Sequence, residues 1–233
     1  MIKILGHRGC AGLEPENTIR AFKRALDLGV DLIEFDVRMT KDKKLVVIHD
    51  EKVDRTTNGK GYVRNLTFKE IKKLDSGKGE KIPFLDGVLE FLKNKRPIIV
   101  IEIKEPETTE EVLKLIKEKK LENKVLIVSF WPDVLKKIKE TEPKIKTGLL
   151  VGKKLPSPIS LAKYFKADFF CPHFDLIDEK VVRECHKNNI KINVWTVNES
   201  EDIERMIKFG VDIISSDYPD RVLEKLKPLP SPT

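Results

Sequence analysis

Gly29-Val30-Asp31-Leu32-Ile33-Glu34-Phe35-Asp36 reads as a helix end, a turn and a buried strand that stops on a carboxylate. The same succession returns far downstream as Gly210-Val211-Asp212-Ile213-Ile214-Ser215-Ser216-Asp217. A weaker echo, Ala167-Asp168-Phe169-Phe170-Cys171-Pro172-His173, puts an imidazole where the other two have their last aspartate. Glycine suits the left-handed residue that closes a helix, and a near-continuous apolar run suits a parallel strand covered on both faces. Units that each deliver a polar group to the C-terminal end of a strand are the parts from which α/β barrels assemble their sites.

Outward from these stretches, similar runs occupy 2–7, 31–37, 97–103, 124–129, 146–151, 168–171, 190–196 and 211–215. Eight is the number that closes a barrel. The segments between them carry helical stripes, among them Ile19, Phe22 and Leu26 behind a cap at Asn17-Thr18, and Ile203, Met206 and Ile207 before Gly210. Val112, Leu115 and Ile116 make another stripe, as do Val134, Leu135 and Ile138. One stretch breaks the rhythm: Glu51 to Ile82 is polar and glycine-rich, with room for a hairpin and one short helix over 67–74. It is too long for an ordinary connection, so it reads as a subdomain (51–82) inserted over the barrel mouth of a single domain spanning 1–233. The proline-rich tail, 228–233, is expected to be disordered.

Composition narrows the function classes. The net charge of +7 comes from lysines interleaved with glutamates, as over Lys114–Lys120, and forms no basic block for nucleic acid. No apolar run is long enough to span a bilayer, and His7-Arg8 interrupts the N-terminal apolar segment before it could act as a secretory signal. The expectation is a cytoplasmic protein without stable membrane insertion. Cys10, Cys171 and Cys185 are odd in number and lack metal or redox spacing. The sequence leaves oligomeric state open.

Side chains alternate along a strand, so Glu34 and Asp36 share a face, as do Glu102 and Lys104 on a strand read as lying two places away. Ile33, Phe35, Ile101 and Ile103 cover the opposite faces, which turns the polar groups into the barrel mouth. Three carboxylates there are expensive to desolvate unless positive charge holds them. Arg8 and Lys104 could neutralise them, but a divalent cation accounts better for three, and oxygen-only ligation favours Mg²⁺ or Ca²⁺ over zinc. His7 and His49 both follow apolar runs as those runs end, and a pair of imidazoles can divide the work of general acid and general base. His186 reads as a surface residue on a helix; His173 stays ambiguous.

His7-Arg8-Gly9, Pro15-Glu16-Asn17-Thr18, Glu34-Phe35-Asp36-Val37, His49-Asp50, Arg55-Thr56-Thr57-Asn58-Gly59, Glu102-Ile103-Lys104, Val194-Trp195-Thr196-Val197-Asn198 and Ser216-Asp217-Tyr218-Pro219 occur in that order. Together they resemble the motifs of the glycerophosphodiester phosphodiesterase family, and the match runs through nearly the whole chain. The resemblance implies a TIM-type (β/α)8 barrel with a small insertion after the second strand. It implies metal-dependent hydrolysis of small glycerophosphodiesters to glycerol 3-phosphate and an alcohol. Carried over by position, His7 and His49 become the acid/base pair, and Glu34, Asp36 and Glu102 the metal ligands. Arg8 and Lys104 then bind phosphate, and Trp195 walls the glycerol part. Ser215-Ser216-Asp217, where the family more usually has a threonine before the aspartate, and Cys171-Pro172-His173, where a polar residue commonly precedes the proline, depart from the family pattern and bear on headgroup selectivity. Two other readings compete: a phospholipase D-like activity on lysophospholipids, against which the insertion argues, and a phosphate-binding barrel without turnover.

Overall fold

The computed structural model describes residues 1–155 and 157–227, so the tail at 228–233 lies outside the described residues. Among these residues one sheet holds β1 (Lys3–Gly6), β2 (Leu32–Met39), β3 (Leu45–Val47), β4 (Ile98–Ile103), β5 (Val125–Ser129), β6 (Lys146–Val151), β7 (Phe169–Pro172), β8 (Lys191–Val194) and β9 (Ile213–Ser216). The strand order is β1-β9-β8-β7-β6-β5-β4-β2-β3, and β1 also pairs with β2. Eight parallel strands therefore close on themselves, while β3 hangs outside as an antiparallel partner of β2. That position of β3 makes β2 and β4 direct neighbours, with Asp36 opposite Glu102. Glu102 is thus on the adjacent barrel strand, not two strands away: the apolar run at 45–48 forms a hairpin arm and takes no place in the barrel.

Helices surround the barrel: α1 (Ile19–Leu28), α2 (Phe68–Ile71), α3 (Leu85–Leu92), α4 (Thr109–Glu118), α5 (Pro132–Thr141), α6 (Pro158–Tyr164), α7 (Glu179–Lys187), α8 (Ser200–Phe209) and α9 (Pro219–Leu226). The α1 cap is Thr18, whose hydroxyl accepts from the Ala21 amide, and α1 and α8 end on left-handed Gly29 and Gly210. Two apolar layers result. Ile33, Phe35, Ile101 and Ile103 join the layer between strands and helices, while Leu5, Leu32, Val100, Leu126, Leu150, Cys171 and Ile213 fill the barrel interior. Residues 51–82 contribute to a third, small cluster of Val46, Ile48, Val53, Val63, Ile71 and Ile82. Lys52 bridges Tyr62 in antiparallel fashion, and α2 begins with a Thr67–Glu70 capping box, so the expected hairpin and short helix appear in reduced form.

The aspartate of each internal echo has a structural task. Asp31, Asp168 and Asp212 stand at the start of β2, β7 and β9, and each carboxylate accepts the backbone N–H of a residue on the preceding barrel strand: Ile4 at 3.0 Å, Thr147 at 2.9 Å and Ile192 at 2.8 Å. Each aspartate also donates its own N–H to the carbonyl of that same residue. Its carbonyl accepts from the strand on the other side, at Ile98, Lys191 and Lys3 respectively. The recurrent motif is therefore a clip holding three consecutive strands in register at the N-terminal end of the barrel.

Asp168 additionally takes Lys139 at 2.6 Å and Lys146 at 2.7 Å. Burial pushes its carboxyl up, but the hydrogen bonds from Lys139, Lys146 and Thr147 outweigh that and hold it below the ordinary range. A carboxyl depressed in the folded state stabilises above its unfolded pKa of about 4 and loses that contribution as pH falls through the folded value. Asp168→Ala is expected to cost about 1–3 kcal/mol in urea denaturation at neutral pH. The gap to wild type should narrow as the solution is acidified below about pH 4; identical stability at neutral pH would show that the clip contributes nothing.

Candidate active site

The chain leaves β1 through His7-Arg8-Gly9, a turn with no room for side chains at its glycines. A Cβ on Gly6 would fall 2.0 Å from the Gly9 carbonyl oxygen, and one on Gly9, whose φ is +87°, would meet Ala21 at 2.8 Å. Arg8 itself sits at φ +49°, a left-handed conformation that non-glycine residues seldom adopt. Its amide donates to Glu34 Oε2 at 2.8 Å, and its guanidinium donates to Glu16 Oε1 at 2.9 Å while its Nε lies 3.4 Å from Asp36 Oδ2. One residue thus holds the ends of three elements together.

Glu34, Asp36 and Glu102 are buried and can bring one oxygen each to within 4.8 Å of one another. Asn17, which the sequence offered as part of a helix cap, instead spans Asp36: its side-chain amide donates to Oδ2 at 2.8 Å and its carbonyl accepts the Asp36 amide at 3.3 Å. Lys104 donates to Glu102 Oε1 at 2.6 Å and pairs with Asp36 Oδ1 at 3.1 Å. Arg8 and Lys104 therefore do offset part of the cluster's charge.

The remainder stays strained. Burial, then the neighbouring Asp36 and Glu102 charges, push the Glu34 carboxyl well above the ordinary range. Burial and Asp36 push Glu102 up to about 7 against the pull of Lys104. Asp36 behaves oppositely: burial raises it, but Lys104, Arg8, His49 and Asn17 together hold it low. Glu34 Oε1 is buried without a hydrogen-bond partner, and the equally buried Asp36 Oδ1 has only its ion pair with Lys104. An orphaned carboxylate oxygen in an all-oxygen donor set fits a hard divalent cation.

Two imidazoles face this cluster, each anchored at Nδ1. His7 meets Asp217 Oδ1 at 2.7 Å, and Asp217 is steadied in turn by Asn198, which donates to Oδ2 at 2.8 Å and accepts the Asp217 amide at 2.9 Å. His49 meets Asp50 Oδ1 at 2.6 Å. Burial pushes Asp217 up, yet its bond to His7 and the nearby charges leave it low. Asp50 is held low chiefly by Arg55. Burial also lowers His49, helped by Lys104 and Arg8 and opposed by Asp36 and Asp50. With ionised carboxylates accepting from Nδ1–H, Nε2 of each ring is left for proton transfer.

A cavity of ≈ 260 Å³ collects these groups at the C-terminal end of the strands. Of the eight residues singled out in the sequence, His7, Arg8, Glu34, His49, Glu102, Lys104 and Trp195 line it; Asp36 lies beneath, with no exposed surface. Trp195 is held by its Nε1, which donates to the Cys171 carbonyl at 2.8 Å. His173 lies against Phe174 and meets Trp195 edge-on, off the cavity wall, and His186 pairs with the clip residue Asp212 at 2.9 Å.

The sequence alone gave no role to Asp217, Asn198, Asp50, Glu16 and Arg55. Arg55 reaches back from the inserted stretch to grip Glu16 at 2.7 and 2.8 Å and Asp50 at 2.7 and 3.0 Å, which ties the partners of Arg8 and His49 to one guanidinium. Asp217 had a signal in its place at the end of the repeated unit; the others lie in ordered motifs whose pairing only the fold makes visible.

Fold and site define the class as an α/β-barrel hydrolase. The family model described as the glycerophosphoryl diester phosphodiesterase family matches residues 7–221, and the chain belongs to that family. It is 44% identical to a glycerophosphodiester phosphodiesterase of Caldanaerobacter subterraneus over 96% of this chain and 97% of the relative. It superimposes with a TM-score of 0.90 on an Oleispira antarctica phosphodiesterase solved with the product sn-glycerol-3-phosphate, at 25% identity over 95% of each chain. A glycerophosphodiester phosphodiesterase from Thermotoga maritima superimposes at 0.83, with 30% identity over 97% of this chain and 99% of that one.

If the carboxylates form a cation site, Mg²⁺ or Ca²⁺ at a hundredfold excess over its dissociation constant is expected to stabilise the fold by about 2.7 kcal/mol. Thermal melts with and without the ion should show this as a raised Tm, and Glu34→Gln and Glu102→Gln should each remove the rise. Melts indifferent to divalent ions would mean that Arg8 and Lys104 alone neutralise the cluster.

Proposed function

We propose that the protein is a metal-dependent hydrolase of small glycerophosphodiesters, releasing glycerol 3-phosphate and the headgroup alcohol. The observation that carries this reading is the pair of imidazoles, each locked at Nδ1 by an ionised carboxylate, on the wall of one cavity that also holds Arg8. Family membership and the relative solved with sn-glycerol-3-phosphate supply the substrate class.

In this reading Arg8 and Lys104 bring positive charge to the phosphoryl oxygens, where it builds up in the transition state. One imidazole takes the proton from the attacking hydroxyl and the other, protonated, gives its proton to the departing alkoxide; Asp217 and Asp50 orient the rings and stabilise their protonated forms. Trp195 supplies the apolar wall for the glycerol carbons. Glu34, Asp36 and Glu102 would hold the cation, Mg²⁺ or Ca²⁺, whose chemistry when bound is to polarise a phosphoryl oxygen and offset the repulsion among the three carboxylates.

The inserted stretch 51–82 belongs to the same single domain and serves the site through Arg55. We assign the enzyme to the cytoplasm: its three cysteines are free and buried, as suits a reducing compartment. Among the described residues no helix is long and apolar enough to cross a membrane.

His7→Ala and His49→Ala are each expected to lower kcat by about 10²–10⁴-fold, the usual contribution of a positioned acid or base, with the melting temperature preserved. EDTA should abolish glycerol 3-phosphate release from glycerophosphocholine, and added divalent ion should restore it. Wild-type turnover in either variant would overturn the pair. Arg55→Ala should reduce kcat about tenfold or more, by freeing Asp50 and Glu16 from their shared partner, with Arg55→Lys recovering only part of the loss because an ammonium cannot grip both carboxylates in forked geometry.

A further inference from the structure

We propose a second binding site at the N-terminal end of the barrel, opposite the catalytic cavity, that takes a small phosphate monoester with an aromatic body. The strand registers build it. Lys3 stands level with Ile213 and Asn193, and two residues back from Asn193 is Lys191. Lys191 is level with Phe169, and Phe169 with Gly148; two residues back from Gly148 is Lys146. The same step leads from Lys146 through Leu126 and Val100 to Ile98, and from Ile98 through Leu32 and Leu5 to Lys3 again. Because the path closes, Lys3, Lys191, Lys146 and Ile98 are one complete layer of the barrel, supplied by alternate strands. Each lies two positions before Leu5, Asn193, Gly148 or Val100 and so shares their inward face.

The next layer in, Leu32, Leu126, Phe169 and Ile213, is wholly apolar. Three ammonium groups therefore stand directly over a hydrophobic floor. The space between measures ≈ 310 Å³, with the half-buried Phe169 and Leu126 in its lining and the exposed Asn123 and Asn189 at its edge. Among the described residues its one carboxylate is Asp168, already shared by Lys139, Lys146 and the Thr147 amide. Lys3 and Lys191 have no ion-pair partner among those residues, so positive charge exceeds negative inside the cavity.

Lysine is a compact point charge on a flexible stem. Three of them, rising from separate strands, can each meet one of the three terminal oxygens of a phosphate monoester, where a carboxylate offers only two. The fourth oxygen carries the ester body, and the floor of Leu126 and Phe169 receives it, an aromatic ring being able to stack against Phe169. A polymer backbone would meet the lysines and leave the floor unused. This cavity and the catalytic one have no lining residue in common, so the site stands whether or not the hydrolase reading holds.

The test is a titration of the ¹⁵N-labelled full chain with phenyl phosphate and, separately, with inorganic phosphate, followed by amide shifts. Saturable shifts are expected at Lys3, Lys146, Phe169 and Lys191, while Gly9 and the Trp195 indole report the catalytic cavity independently. At the lysine layer phenyl phosphate should bind about tenfold or more tighter than inorganic phosphate, because its ring is buried. The double variant Lys3→Gln/Lys191→Gln should lose about tenfold or more of that affinity, and Lys3→Arg/Lys191→Arg should keep most of it. Lys146 is left in place because it serves Asp168. Both doubles should turn over glycerophosphocholine at the wild-type rate. Shifts confined to the catalytic cavity, equal affinity for the two phosphates at the lysine layer, or undiminished binding in the glutamine double would each overturn the proposal. If the glutamine double fails to fold, the single variants decide in its place: a several-fold loss in each supports the site, and wild-type affinity in both removes it.

Discussion

Three buried carboxylates whose oxygens approach within 4.8 Å of one another form the constraint to which the rest of the barrel mouth is fitted. Left alone, such a cluster costs several kcal/mol per ion in desolvation and more in mutual repulsion. The protein answers on every side. Asn17 meets a carboxylate oxygen and the amide of Asp36, Lys104 lies between Asp36 and Glu102, and the Arg8 amide and guanidinium secure Glu34 and Asp36 from the end of β1, on the other side of β2. Those partners in turn dictate local backbone: Arg8 accepts a left-handed conformation and Gly6 and Gly9 give up side chains so that the turn can bring a guanidinium to bear. Even so Glu34 Oε1 remains unanswered, and three carboxylates still face two cationic side chains, a residue of unbalanced charge that a cation would take up.

The two ends of the barrel are put to different uses. Clips built from Asp31, Asp168 and Asp212 tie strand starts together at one end, and the same repeated units place Asp36, His173 and Asp217 at the other. Stability is thereby concentrated where no substrate goes. The mouth can then tolerate strained backbone, crowded like charges and an exposed Phe130, features that would each weigh against a marginal fold if its strands were not fastened elsewhere.

Much of this was written in local pattern. Period-two alternation in Glu34-Phe35-Asp36 and Glu102-Ile103-Lys104 separated the inward polar face from the outward apolar one, and the barrel follows from eight such runs. What escaped were facts of long-range pairing. Glu102 reads as two strands away from Glu34 and Asp36, and only the antiparallel pairing of 45–47 with β2, outside the barrel, makes β2 and β4 direct neighbours. Asn17 looks like a helix cap because asparagine before threonine usually is one, yet its partner lies on β2. Arg55 and Glu16 are thirty-nine positions apart, and Arg55 is exposed enough to pass for surface charge.

Asp212 has one further consequence, which concerns time. Its carboxylate secures β8 while its carbonyl receives the amide of Lys3, so the last strand is the piece that admits the first. The same closure brings Asp217 to His7 across a separation of 210 residues. Contacts so distant in sequence carry the greatest loop-closure entropy and are late events in folding. A nascent chain therefore emerges with His7 and Arg8 already made but without the carboxylate that orients the imidazole, and it keeps that state until almost the whole sequence has been synthesised. Shutting the barrel and completing the acid–base pair are one step.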